Sequence, residues 1–201
     1  LRAQNLCRVL EIGAGMGENT EFLLESDFNV CATDISSISV KVMKKRFSKY
    51  GNFSSEVADM ENLPFDNELF DLVCSAGSLS YGDNTKVMNE IHRVIKPGGV
   101  FICVDSLNEN PIYIVNRWLG YVRGKRTLST IGRMPTLKLI EEYQKNFEPV
   151  RLKFFGSLIW MSPLLRLIIG TSNTAIFIDK FDNAINVRRS AFKFVMMLRR
   201  K

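Results

Sequence analysis

Short apolar runs alternate along the first half of the chain with stretches whose apolar positions recur at helical spacing. That alternation is the signal of strands and helices taken in turn. CRVLEI (7–12) predicts a buried strand, and MGENTEFLLES (16–26) a helix with Phe22, Leu23 and Leu24 on or near its inner face. NVCATDI (29–35) predicts a second strand. SSISVKVMKKRFSKY (36–50) predicts a helix with a serine start and apolar positions at Ile38, Val42 and Phe47. FSSEVAD (53–59) is a weaker third strand, LFDLVCSA (69–76) a fourth, and TKVMNEIHRVI (85–95) the helix after it. KPGG (96–99) predicts a turn, because proline has no N–H to continue a helix. GVFICVDS (99–106) predicts a fifth strand. Continuous apolar strands alternating with helices predict a doubly wound, mostly parallel α/β sheet.

Beyond Ser106 the alternation loosens. PIYIVNRWLGYV (111–122) predicts an amphipathic helix carrying Trp118 and Tyr121, followed by a basic loop, RGKRTLSTIGRMP (123–135). TLKLIEEYQKNF (136–147) predicts a helix and VRLKFFGSL (150–158) a strand ending at glycine. IWMSPLLRLII (159–169) is apolar with an internal proline, and SAFKFVMML (190–198) predicts a final strand. Without repeats or low-complexity linkers, the expectation is a single domain over 1–201, with 107–201 completing the sheet begun by 1–106.

Composition narrows the class. The chain has 201 residues, 46% hydrophobic and 24% charged, ordinary for a globular domain with a full core. No apolar run reaches the roughly 18 residues of a membrane span. Residues 1–106 hold 10 Lys and Arg against 15 Asp and Glu, and residues 107–201 hold 17 against 6. The basic half is expected to meet an anion. Cys7, Cys31, Cys74 and Cys103 all fall in apolar runs without ligand-like spacing. They predict reduced core thiols in a cytoplasmic protein, with no metal site.

The candidate chemistry starts at VLEIGAGMGENT (9–20), where Gly13, Gly15 and Gly17 follow a strand as GxGxG. Dinucleotide folds use GxGxxG, with helix amides around a pyrophosphate. Glu11 would repel a pyrophosphate but suits an ammonium or sulfonium group. No Gly-Lys-Ser/Thr follows, which excludes a P-loop. Asp34 ends the second strand 21 residues after Gly13, where an acid can accept both hydroxyls of a ribose. Asp59 can accept from an adenine amino group, and Met60 can pack on the ring. FDLVCSAGSLSY (70–81) then opens into small residues that permit close approach.

With these residues in order, the sequence resembles the class I S-adenosylmethionine-dependent methyltransferases. VLEIGAGMG resembles the first motif, TDIS the acidic second, ADMENLPF the adenine-side motif, FDLVCSAGSLSY the fourth-strand motif and EIHRVIKPGGVF the signature before the fifth strand. The resemblance covers about residues 8–106 and implies a Rossmann-like sheet of about seven strands, helices on both faces, with SAFKFVMML as an antiparallel last strand. It implies S-adenosyl-L-methionine as cofactor, with Glu11, Gly13, Ala14 and Gly15 around its methionine end. Asp34 would bind the ribose, Ile35 would flank the adenine, Asp59 and Met60 would hold it, and Ser75 and Ala76 would form the floor. The family's capping helix before the first strand is expected to be missing in part, since the chain begins just ahead of that strand.

The acceptor is less determined by pattern. Asp105, at the crevice end of the fifth strand, is the candidate catalytic base, with Tyr81, Glu109 and Tyr113 nearby in sequence. His92, the only histidine, and Asp71 fall at the opposite sheet end. Cys74 lacks the preceding proline of cytosine-C5 enzymes, and no Asp/Asn-Pro-Pro-Tyr follows the fourth strand. Tyr81, Tyr113, Arg123 and Arg126 are the candidate acceptor-binding residues, within a basic stretch, Arg123 to Arg133, expected to be mobile without substrate. The expected reaction is methylation of a hydroxyl on an anionic small molecule, glycan, nucleotide-sugar or lipid-linked precursor. The alternatives are an RNA methyltransferase, using the basic half as a phosphate track, or a non-catalytic cofactor-binding protein. The apolar run 159–169 is expected to pack as core or lid, with peripheral lipid contact as the alternative.

Overall fold

A computed structural model describes residues 8–185 and 187–201; Cys7 lies outside them. The strands are β1 (Arg8–Ile12), β2 (Asn29–Asp34), β3 (Phe53–Val57), β4 (Phe70–Ala76), β5 (Ile95–Ser106), β6 (Phe147–Phe155) and β7 (Lys193–Arg200). They form one seven-stranded sheet in the order β3-β2-β1-β4-β5-β7-β6. The first five strands are parallel, and β7 runs antiparallel between β5 and β6. The helices are α1 (Thr20–Glu25), α2 (Ser37–Arg46), α3 (Asn84–Val94), α4 (Pro111–Val122), α5 (Leu128–Gly132), α6 (Leu137–Asn146), α7 (Ser162–Ile169) and α8 (Thr171–Ala184).

Strand alternation divides the core between two faces. Val9 and Ala32 pack with Leu24 of α1 and with Val40 and Met43 of α2. Leu10 and Ile12 face the other way, toward Val87 and Ile91 of α3 and Ile140 and Tyr143 of α6. Four of the helices that flank the sheet begin where the sequence supplies an acceptor for free amides. Ser36 caps α2, Asp83 caps α3, Asn110 caps α4 ahead of Pro111, and Thr136 caps α6.

Several elements differ from the pattern reading. Residues 16–19 are turn rather than helix, and Phe22 is 72% exposed while Leu24 is buried. In α2 the buried row is Val40, Met43 and, just past the helix end, Phe47, whereas Ile38 and Val42 face solvent. Spacings of three and four residues make that row one helical stripe, which the Ile38–Val42–Phe47 choice does not. KPGG is a bulge within β5: Phe70 of β4 pairs with Ile95 and Leu72 with Val100. The pairing therefore resumes past Lys96–Gly99, with Gly98 at φ +76. The basic stretch contains the short helix α5, capped by Thr127. Helix α8 has no counterpart in the pattern, because its buried row is Thr174, Ile178 and Asp182, only one of them apolar.

Candidate functional site

The C-terminal ends of the parallel strands surround a cavity of about 470 Å³. Gly13, Gly15, Asp34, Ile35, Asp59 and Met60 line it, as do Ala58, Glu61, Gly77, Ser78 and Tyr81. Its floor is built by close backbone approach. A Cβ on Gly13 would sit 2.4 Å from Ser78 Cβ, and Gly13 holds φ +63. Ser78 in turn hydrogen-bonds Ser75 Oγ at 2.6 Å. Gly17 serves packing instead. A Cβ there would meet Phe47 at 2.5 Å, so this glycine lets α2 close against the loop. Gly15 faces the open cavity, and its N–H donates to Asp34 Oδ2 at 2.8 Å. Asp34 Oδ1 accepts from Ser36 N at 2.9 Å. Both oxygens are fixed, and each retains acceptor capacity. Ile35 stands 73% exposed beside them, offering an apolar surface to a ring.

Four of the predicted cofactor residues do not line this cavity. Glu11 is 3% exposed and accepts a 2.5 Å hydrogen bond from Thr20 Oγ1 of α1. Burial raises its carboxyl to about 7, against the Thr20 hydrogen bond and with Glu18 nearby. Ala14 is buried and donates its N–H to Thr33 O. Ser75 lies beneath Ser78, and Ala76 is exposed at the end of β4. The sequence reading missed Ala58, Glu61, Gly77 and Ser78. The SAGS run carried a signal for two of them, since a strand ending in small residues invites a ligand. Glu61 stays ionised, its carboxyl lowered chiefly by the Asp83 amide and then by Lys86.

Tyr81 joins this cavity to a second one of about 530 Å³, walled by Asn116 and Gly120 of α4 and by Arg123, Lys125, Arg126, Thr127 and Thr130. The predicted residues Tyr81, Arg123 and Arg126 therefore come together, and Arg133 holds the Tyr81 carbonyl at 3.3 Å. Tyr113 is placed elsewhere. It is 5% exposed, donates its hydroxyl to Gly156 O at 2.7 Å and packs on Phe192. Glu109 accepts from Leu137 N and starts α6.

Asp105 lies at the crevice end of β5, as expected, but its side chain is turned inward. It is 3% exposed, with Oδ2 accepting from Leu79 N at 3.0 Å and Oδ1 from Ser106 N at 2.6 Å. It lines neither cavity. Burial raises its carboxyl, with the two amides pulling the other way. The side chain anchors the 3-10 turn Leu79–Tyr81 from below, so it bears on Tyr81 rather than on a ligand. His92 stacks edge-on to Phe147 at 5.3 Å, and burial and Arg200 lower its imidazole. Among the described residues no cluster of three His, Cys, Asp or Glu side chains could hold a metal.

Comparison with known proteins agrees with this geometry. The family described as Methyltransferase domain matches residues 10–103. The uncharacterized methyltransferase YodH of Bacillus subtilis is 32% identical over 105 residues, 52% of this chain and 45% of that protein. A demethylmenaquinone methyltransferase of Staphylococcus epidermidis is 30% identical over 148 residues, 72% of this chain and 60% of that protein. The chain thus spans about half the length of the curated relatives it matches. The geranyl diphosphate C-methyltransferase of Streptomyces coelicolor superposes with a TM-score of 0.67 at 16% identity, over 97% of this chain and 74% of that one. That structure contains Mg2+, geranyl diphosphate and S-adenosyl-L-homocysteine.

Proposed function

We propose, starting from a chain that belongs to the class I S-adenosylmethionine-dependent methyltransferases, that it methylates a hydroxyl of an anionic acceptor held beside Arg123 and Arg126. The observation that carries this reading is the junction at Tyr81: a glycine-floored cavity on one side and a basic cavity on the other share that residue.

The first cavity fits the cofactor by its own features. Gly13 and Gly15 leave room where side chains would intrude, and Asp34 is braced by two amides with acceptor capacity to spare. Asp34 would hold the ribose hydroxyls, Ile35 and Met60 the adenine faces, and Asp59 the adenine amino group. Glu11 would act from behind the glycine turn as the acid nearest the methionine end. When bound, S-adenosylmethionine supplies an electrophilic methyl group on a sulfonium.

The residues of the second cavity then align an acceptor. Arg123, Lys125 and Arg126 would grip a phosphate or carboxylate, and Thr127 and Thr130 add neutral donors. Acceptors with such groups include glycan, nucleotide-sugar and lipid-linked precursors. Alignment and exclusion of water supply most of the rate in a direct transfer of this kind. Asp105 is proposed as a positioning residue, keeping the Tyr81 turn in place. The basic stretch is proposed to tighten on acceptor binding. Cys31, Cys74 and Cys103 are unpaired thiols, which suits a reducing cytoplasm.

The test is acceptor kinetics on a double charge reversal. Arg123→Glu with Arg126→Glu should raise acceptor KM by about 10- to 100-fold, the value of one or two charge-assisted hydrogen bonds. Cofactor affinity by calorimetry should stay as in the wild type. Asp34→Ala should do the converse, weakening cofactor binding by ~1–3 kcal/mol. Unchanged acceptor KM in the double variant would return the basic stretch to ordinary surface. Release of S-adenosylhomocysteine with RNA alone among the acceptors offered would transfer the reading to nucleic acid.

A further inference from the structure

Helix α4 is built inside out. Its buried positions are Tyr113 and Arg117, four residues apart. Its solvent side carries Val115, Trp118, Leu119 and Val122, which are 59%, 47%, 46% and 77% exposed. Spacings of three, one and three residues place those four on one continuous face. Arg117 is 4% exposed, donates to Leu107 O and Asn108 Oδ1, and lies over the Phe192 ring. The helix thus buries its guanidinium and presents its hydrocarbon to solvent, the reverse of a core-packing helix.

A second element repeats the feature. Strands β6 and β7 are antiparallel neighbours, which a turn of two residues could join. Here residues 156–192 separate them. Within that insertion no residue of α7 is buried. Leu164, Leu167 and Ile168 are 55%, 86% and 70% exposed, and Trp160, in the 3-10 turn that precedes α7, is 46% exposed. The α7 positions also form one stripe. Both elements rise from the same end of the sheet, since Lys193 pairs with Ser106 of β5 on one side and Phe155 of β6 on the other. The Tyr113 hydroxyl ties the first turn of α4 to Gly156 at the root of the insertion.

Charge chooses the occupant of this surface. Apart from the buried Arg117 and Asp182, residues 111–135 and 156–192 together contain eight Lys and Arg and one Asp. A second copy docked face to face would bring this cationic patch against its own counterpart, because an isologous contact uses the same surface on both copies. A bilayer with anionic headgroups meets both halves of the pattern: hydrocarbon for the stripes, negative charge for the cations around them. Tryptophan at 118 and 160 suits the headgroup boundary. No helix among the described residues is long and apolar enough to cross a membrane, so the contact is peripheral. We propose that the exposed faces of α4 and α7 dock this protein on the surface of an anionic lipid bilayer. The docked face lies at the crevice end of the sheet, and Asn116, Gly120 and Arg123 along the adjoining side of α4 wall the basic cavity.

The test is flotation of the full chain with vesicles of phosphatidylcholine alone and of phosphatidylcholine with about one third phosphatidylglycerol. The expected result is co-flotation with the anionic vesicles, weaker with the neutral ones and weaker again in high salt, with a blue shift of tryptophan emission. Leu167→Asp with Ile168→Asp should abolish flotation while circular dichroism and cofactor affinity stay unchanged. Arg166→Glu, which reverses one cation, should lower partitioning by roughly 10-fold or more, at about fivefold for each unit of charge. Absence of flotation at low salt, or equal flotation by the wild type and the double aspartate variant, overturns the proposal. A wild-type dimer dispersed by the same variant in sedimentation, without vesicle binding, also overturns it and gives the surface to self-association.

Discussion

Glu11 sits where two demands on a carboxyl conflict. The proposed cofactor site places an acid behind the glycine turn, and the strand buries that acid to 3% exposure. Its carboxyl titrates at about 7 in the fold against 4.5 for an unperturbed glutamate. Between those values the folded chain holds a proton that the unfolded chain has released. Stability therefore falls as pH rises through that window and is level above it, by up to about 3 kcal/mol. Glu11→Gln keeps an acceptor for Thr20 and removes the titration. Its melting temperature should decline less than that of the wild type between pH 5 and about pH 7.5, measured by differential scanning calorimetry. Asp105 gives a second residue-scale expectation. Asp105→Ala strands the buried Leu79 amide and should cost about 1–3 kcal/mol in urea unfolding. Asp105→Asn should recover part of that loss and keep the wild-type shape of the pH–rate profile. A lost acidic limb in the asparagine variant would restore the base role suggested by its position in sequence.

At the scale of the element, the pattern gave existence more surely than phase. The strands through β5 were legible because all but the weaker β3 are compact apolar runs, and the serine start at Ser36 marked α2. The inner face of α2 was not, since SISVKVM offers apolar residues on two sides and only packing decides between them. Met43 is fully buried while Ile38 is 67% exposed. Met43→Ala should therefore cost about 2–4 kcal/mol in chemical denaturation, and Ile38→Ala less than about 1. Equal losses would return α2 to the phase read from sequence. Helix α8 was illegible for the opposite reason. Its buried Asp182 accepts the amides of Gly156 and Ser157, so a polar contact replaces the apolar periodicity that would have announced it. Similarly, the KPGG bulge reads as a turn because a strand interrupted by four residues carries no local sign that its pairing resumes.

For the whole molecule, the cofactor side of the crevice was readable because its residues fall beside strand ends, where sequence order fixes position. Gly13, Asp34 and Asp59 needed only the topology to converge. The acceptor side depends on how 107–201 folds back, and there spacing misplaced Tyr113 and Asp105, whose burial is set by distant partners at Gly156 and Leu79. The sheet order has a further effect, on the making of the protein. Strand β7 is the last of the seven to leave the ribosome, yet it lies between β5 and β6. Until Lys193–Arg200 has been synthesised, β6 has no partner and β5 keeps one bare edge. The nascent chain must carry two open strands through the translation of residues 156–192. A pause in that interval holds it at its most adhesive, with unpaired strand edges and apolar stripes displayed together. Chaperone demand should accordingly peak between the synthesis of β6 and that of β7 and fall once β7 has paired with both neighbours.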